Sequence, residues 1–166
     1  VSESDFKPKT VYVTYVAGAA ERVWGALTSA KFTKHYFFGR SIESEWNVGS
    51  PVTYRLPDGS VDIFGTVVRC DPPKTLCFTW NIEWREHHAG HAGKSLEELR
   101  SLPECLVTFQ LDDLGGVVRL TMTESHQFEP DEKLLEGGRR GWPMILSGLK
   151  TLVETSQPLP KFDFTK

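Results

Sequence analysis

The chain has 166 residues, 39% of them hydrophobic and 25% charged, with a formal net charge of −3. That length suits one domain with a sizeable core, expected to span residues 1–166 with its packed part at about 9–156. The slight negative charge gives no electrostatic case for nucleic acid or an acidic membrane surface. No apolar run approaches a membrane span and VSESDFKPK does not read as a signal peptide, so a cytoplasmic protein is expected. The three cysteines, Cys70, Cys77 and Cys105, fit free thiols in a reducing compartment.

Lys9 to Val16, rich in Val, Tyr and Thr, reads as a strand. Glu21–Ser29 and Ala30–Tyr36 read as two short helices, and Ile42–Trp46 as a short strand. Ser50–Leu56 alternates, with Val52, Tyr54 and Leu56 on one face, and Pro57-Asp58-Gly59 signals a tight turn. Val61–Cys70 is a strand in which Gly65 marks a bend. Asp71-Pro72-Pro73-Lys74 turns the chain, with Cys70 and Cys77 flanking the turn symmetrically, so that they face each other in a simple hairpin; reduced packing residues are the expectation there and a disulfide the alternative. Leu76, Phe78, Trp80, Ile82 and Trp84 then alternate with polar or small residues, the pattern of a half-buried strand.

Arg85–Pro103 breaks the pattern and reads as a long exposed insertion, with SLEELR long enough for a helical turn or two. His87, His88 and His91 form HHxxH, but Gly90 and Gly93 argue against the helix that would aim two imidazoles at a zinc ion. Loop histidines and no metal site are therefore expected. Glu104–Asp112 puts Cys105, Val107, Phe109 and Leu111 on one face, and Leu114-Gly115-Gly116 is a hairpin turn. Val117–His126 puts Val118, Leu120, Met122, Glu124 and His126 on one face.

The segment after Pro130 organises the chain. Leu135, Gly138, Trp142, Ile145, Leu149 and Leu152 recur at spacings of three and four, the period of a buried helix face. Pro130 suits the first helical position. Gly137, Gly138, Gly141 and Pro143 weaken the first half, so a kink is expected near Gly141–Pro143. Gly138 leaves space where a core helix places a large side chain. The two readings of that space are close backbone packing and a pocket. Arg139 and Arg140, within GGRRG, read as solvated.

The order of elements is a strand, two short helices, a meander of hairpins and one long amphipathic helix. This implies an α+β fold in which a curved antiparallel sheet wraps around that helix. The face holding Tyr54, Phe78, Trp80, Trp84, Phe109, Met122, Trp142 and Ile145 is the candidate ligand-binding wall, since small-molecule pockets are aromatic with a few polar groups. A packed core is the plainer alternative. Glu124 and His126 sit two apart on one strand face, close enough to share a hydrogen bond. They are the candidates for an acid–base pair or for fixing a polar ligand end; otherwise the strand ends there and both reach solvent.

The strings VWGALTSAKFTKHYFFG, ESEWNVGSPVTYRLPDG, DPPKTLCFTW and GWPMILSGLKTLVET resemble bacterial proteins similar to the C-terminal domain of the activator of the ninety-kilodalton heat-shock protein ATPase. The resemblance runs from about Val11 to Glu154. It implies the helix-grip fold of the START-like, or SRPBCC, superfamily, with a cavity between helix and sheet often used for hydrophobic ligands. The fold alone does not fix the function. The eukaryotic activator has a separate N-terminal domain that contacts the chaperone, and no such domain is expected within these 166 residues. The leading expectation is therefore binding of a hydrophobic or amphipathic small molecule, without a cofactor. A chaperone-accessory or stress-response partner comes second, and a cyclase- or hydrolase-like enzyme using Glu124 and His126 third.

Overall fold

A computed structural model describes residues 1–163 and residue 166. A 3-10 turn at Glu3–Asp5 leads into β1 (Lys7–Ala17), followed by α1 (Ala20–Thr28) and α2 (Ala30–Tyr36). Next come β2 (Ser41–Glu43), β3 (Pro51–Arg55), β4 (Val61–Asp71) and β5 (Thr75–Ile82). Two short helices, α3 (Glu86–Ala92) and α4 (Leu96–Arg100), precede β6 (Cys105–Asp113), β7 (Val117–His126) and α5 (Glu132–Thr155). The strands form one seven-stranded antiparallel sheet in the order β1-β7-β6-β5-β4-β3-β2. Every link from β2 to β7 joins neighbours, while the last strand pairs back onto the first. That curved sheet is the predicted α+β, helix-grip architecture.

One face of the sheet packs on α5. Alternation puts Val52, Leu76, Phe78, Val107, Phe109, Leu120 and Met122 into a single core with Trp142, Ile145, Leu149 and Val153 of the helix. A smaller cluster of Phe6, Cys77 and Leu106 closes part of the opposite face. Cys70 packs against the main core whereas Cys77 belongs to the smaller one. Their strands are offset, with Arg69 opposite Cys77 and Cys70 opposite Leu76, so the two thiols do not face each other. All three cysteines are free.

Two glycines are fixed by close approach. A Cβ on Gly65 would stand 1.7 Å from the Thr79 carbonyl oxygen, so β4 and β5 can cross there only without a side chain. A Cβ on Gly148 would lie 3.0 Å from Tyr36 Cβ, which is how α2 seats against α5.

Helix α5 differs from expectation at its start. Asp131, not Pro130, ends the loop: its carboxylate accepts the Leu134 N–H at 3.0 Å as the N-cap, leaving Pro130 outside the helix. The helix is continuous from Glu132 to Thr155, with Gly141 and Pro143 inside it. Its glycines and proline cost roughly 7 kcal/mol of intrinsic propensity. Burial of Leu135, Trp142, Ile145, Leu146, Leu149, Leu152 and Val153 returns about 1.5–3 kcal/mol each, which outweighs that cost.

Near its end α5 also reaches the outer side of β1. Lys150 Nζ donates to the Tyr15 carbonyl at 2.6 Å, and the Ala17 N–H donates to Glu154 Oε1 at 2.8 Å. Further along β1, Val11, Val13 and Tyr15 point away from the core and are more than half exposed, at 56%, 52% and 51%.

Three expectations for local structure are corrected. The strand expected over Ile42–Trp46 stops at Glu43, and Trp46 takes a left-handed conformation at φ 59°. The strand expected to reach Trp84 stops at Ile82. Arg85–Pro103 is not an exposed loop: it folds into α3 and α4, with Leu99 fully buried. Gly93 does not oppose α3 but ends it, at φ 64° in the left-handed position where glycine is favoured.

Candidate functional site

Between the glycine-rich half of α5 and the sheet lies a cavity of about 490 Å³. Its residues come from β4 to β7, from the chain after α2 and from the α3–α4 insertion. Gly137, Gly138 and Gly141 line it, and a Cβ at Gly137 or Gly141 would meet nothing within 4 Å, so the missing side chains at these two positions leave the space open. A surface depression shares Phe38, Arg40, Gly137 and Gly141 with the cavity, which places its mouth there.

The wall is aromatic. Trp80 and Trp142 face each other with ring centroids 5.4 Å apart, and Phe37 lies 5.9 Å from Trp142 and 6.1 Å from Trp80. Of the candidate ligand-binding residues, Trp80, Trp84, Trp142 and Ile145 line the space. Tyr54, Phe78, Phe109 and Met122 form the buried layer behind it: Tyr54 rests 5.5 Å from Trp80, and Phe109 lies 6.0 Å from Trp142. Burial raises the Tyr54 hydroxyl above its ordinary pKa, so it stays a neutral group in this layer. Phe37 escaped the sequence reading because it follows a helix, where no alternation signals burial.

Two polar groupings mark different parts of the cavity lining. The first is Asp62, buried between two arginines: Arg40 Nε donates to Oδ2 at 2.7 Å and Arg85 Nη1 to Oδ1 at 2.9 Å. Arg85 also donates to the Val61 carbonyl, and its own N–H donates to His88 Nδ1 at 2.9 Å. Two guanidinium groups against one carboxylate leave this corner with a net positive charge. Nothing in the sequence pairs these residues, since they come from three separate segments.

The second grouping contains the two candidate polar residues. Glu124 Oε1 and His126 Nε2 are 2.7 Å apart, with side chains 15% and 6% exposed. The strand does not end in solvent at this point, because β6 and the start of α5 cover it. Gly138 accounts for the fit: a Cβ there would come within 2.9 Å of Glu124 Oε2 and 3.4 Å of Trp142. The gap in the apolar stripe of α5 is thus filled by a carboxylate at the cavity wall. Cys105 completes the group, with Sγ 3.2 Å from His126 Nδ1. Burial and the negative charges of Glu124 and Glu104 push the Cys105 thiol up to about 12.

Of the three histidines of HHxxH, His88 lines the cavity beside Arg85, whereas His87 and His91 do not line it. His87 and His88 stack at 3.9 Å on α3, and among the described residues no cluster of three or more His, Cys, Asp or Glu is arranged to hold a metal ion. Arg139 pairs with Glu132, and Arg140 pairs with Glu136 at 3.0 Å, both on the helix surface. Among the described residues no helix is long and apolar enough to cross a membrane.

The model of the family described as activator of Hsp90 ATPase homolog 1-like protein matches residues 17–154. The chain belongs to that family. No curated protein matches it. Solved structures similar to this member of the activator-homologue family include protein MLL2253 from Mesorhizobium loti, at 23% identity and a TM-score of 0.67 over 89% of this chain and 99% of that one. The Aha1 dimer from Colwellia psychrerythraea is similar at 19% identity and a TM-score of 0.63, over 87% and 95%. PFC0360w, an HSP90 activator from Plasmodium falciparum, is similar at 17% identity and a TM-score of 0.63, over 87% and 94%. At these identities the likenesses speak for the fold alone.

Proposed function

We propose that the protein binds a hydrophobic or amphipathic small molecule between α5 and the sheet. The observation that carries this reading is the cavity of about 490 Å³, walled by Trp80 and Trp142 and lined in part by the Asp62 and Glu124–His126 groupings. Its size falls in the range of drug-sized ligand sites, and its chemistry matches them: broad aromatic contact with a few polar groups for orientation. The net positive corner near Arg40 suits an anionic or carbonyl end, and the Trp80–Trp142 wall suits a flat apolar body.

A thermal-shift screen of flat amphipathic compounds tests the reading. At a ligand concentration of about a hundred times Kd, stabilisation is about 2.7 kcal/mol, or roughly 5–10 °C in Tm for a chain of this size. Trp142→Ala removes one wall and is expected to abolish the shift. A screen in which no flat amphipath moves Tm, together with an interior impermeable to small apolar probes, defeats the reading.

A second reading is that the protein is an accessory partner of a chaperone. It is favoured by the family's description and by the exposed apolar row Val11, Val13 and Tyr15 on β1, which offers a surface for a protein partner. If it holds, the protein changes the ATPase rate of the cognate chaperone and Val13→Asp removes the change. An unchanged rate counts against it.

A further inference from the structure

One of the polar groupings in the cavity also carries a thiol, which ligand binding alone does not use. Cys105 opens β6, His126 closes β7, and the two are direct cross-strand partners. Their side chains meet with Sγ 3.2 Å from Nδ1, while Nε2 lies 2.7 Å from Glu124 Oε1. An ionised carboxylate only accepts hydrogen bonds, so Nε2 carries the imidazole proton and Nδ1 is the acceptor for the thiol. All three side chains line the cavity. The arrangement is that of a nucleophile, a base and an orienting carboxylate.

We propose that Cys105, His126 and Glu124 make the cavity a covalent trap for flat α,β-unsaturated carbonyl compounds. The proposal rests on the reading of this cavity as a ligand site. In the step, the thiol proton passes to His126 Nδ1 while a sulfur electron pair forms a bond to the β-carbon. The π electrons of the double bond move onto the carbonyl as an enolate. The imidazolium then returns its proton to the α-carbon, and the product is a neutral thioether. Addition expels no group and needs no second reactant. The imidazolium formed midway lies against the Glu124 carboxylate, which stabilises it and fixes the ring; Glu124 is a positioning residue.

The ligand class follows from the surroundings. Sulfur is a nucleophile suited to activated double bonds, and the Trp80 and Trp142 rings favour a flat conjugated body. The thiol is held neutral by burial and by two nearby carboxylates, so it is inert to reagents that need a resting thiolate. It reacts only when a ligand seated in the cavity presents its β-carbon and His126 takes the proton.

The test is incubation with the aromatic enone 4-phenyl-3-buten-2-one, followed by intact-mass and peptide-mapping mass spectrometry. One addition is expected on Cys105, at least about tenfold faster than on Cys70, which lies outside the cavity. Cys105→Ala removes the fast addition. His126→Gln slows capture at saturating probe by about a hundredfold. Glu124→Gln also slows it, and Glu124→Asp restores part of the rate. Should these variants fail to fold by circular dichroism, the Cys105-to-Cys70 rate ratio in the unaltered protein decides alone. A ratio of one or less, or His126→Gln reacting as fast as its parent, overturns the trap. The saturated analogue 4-phenyl-2-butanone, followed by tryptophan fluorescence, separates the two readings. Binding of it without capture of the enone sinks the trap alone; failure of both sinks the ligand site as well.

Discussion

Gly138 shows how one absent side chain decides several others. Its missing methyl leaves room for the Glu124 carboxylate, which holds His126, which in turn accepts from Cys105. Gly138→Ala gains about 1 kcal/mol of helix propensity and displaces Glu124. The lost Glu124–His126 hydrogen bond costs about 1–3 kcal/mol, so the expected outcome is a denaturation midpoint no higher than the parent's together with weakened ligand binding, read by urea titration and thermal shift on one sample. The Glu124–His126 pair was legible as two side chains on one strand face. Cys105 was legible too, had the β6–β7 hairpin been folded about Gly115–Gly116, since that register sets residue 105 against 126. Asp62 was not: its two arginine partners arrive from separate segments, and no spacing reports on them. Asp62→Ala leaves both guanidinium groups unpaired. It is expected to cost about 2 kcal/mol, less than a fully buried pair because Arg40 and Arg85 remain partly wetted, as measured by chemical denaturation. The thiols give a sign-defined pH effect. Burial pushes Cys77 up to about 11 and Cys105 to about 12, whereas unfolded thiols ionise near 9. The unfolded chain releases its protons first, so this contribution is intact below about pH 9 and is lost as pH rises toward 12. Urea midpoints at pH 8 and pH 10.5 are expected to fall less in Cys77→Ala than in the parent.

At the level of elements, the close crossing of β4 and β5 tolerates nothing larger than glycine. Gly65→Ala forces the strands apart and is expected to cost about 3 kcal/mol or more, visible as a lower Tm and slower refolding yield. The sequence marked Gly65 as a bend, but the carbonyl it makes room for belongs to another strand and could not be read locally. In the α3–α4 insertion, α4 was foreseen as the turn or two in SLEELR, whereas α3 and the burial of both were missed for a related reason. Each is too short for periodicity to register, and their burial depends on Leu99 finding a site that only the assembled sheet provides. Leu99→Ala is expected to loosen this wall selectively. Hydrogen exchange should quicken across Glu86–Arg100 while β5, β6 and β7 stay protected. The long helix was the easiest element to foresee, because its apolar stripe repeats over several turns. Its start was misplaced by two residues, since Pro130 suits a first helical position but the Asp131 carboxylate caps the helix and makes Glu132 the first.

Across the whole molecule, the antiparallel order followed from turn signals and alternation, because consecutive hairpins leave few alternative pairings. The return of β7 to β1 was implied only by the need to cover one apolar face with one helix. The sheet is open, so it has two free margins, and they are closed off differently. At β2 the margin is a strand of three residues, too short to serve as a template. At β1 the strand is long, and Lys150 and Glu154 occupy its outward carbonyl at Tyr15 and amide at Ala17. These two side chains act as guards against self-association. Lys150→Met with Glu154→Leu exposes a long apolar-flanked margin beside Val11, Val13 and Tyr15, and a chain that remains folded should then assemble into thioflavin-positive fibrils on mild heating.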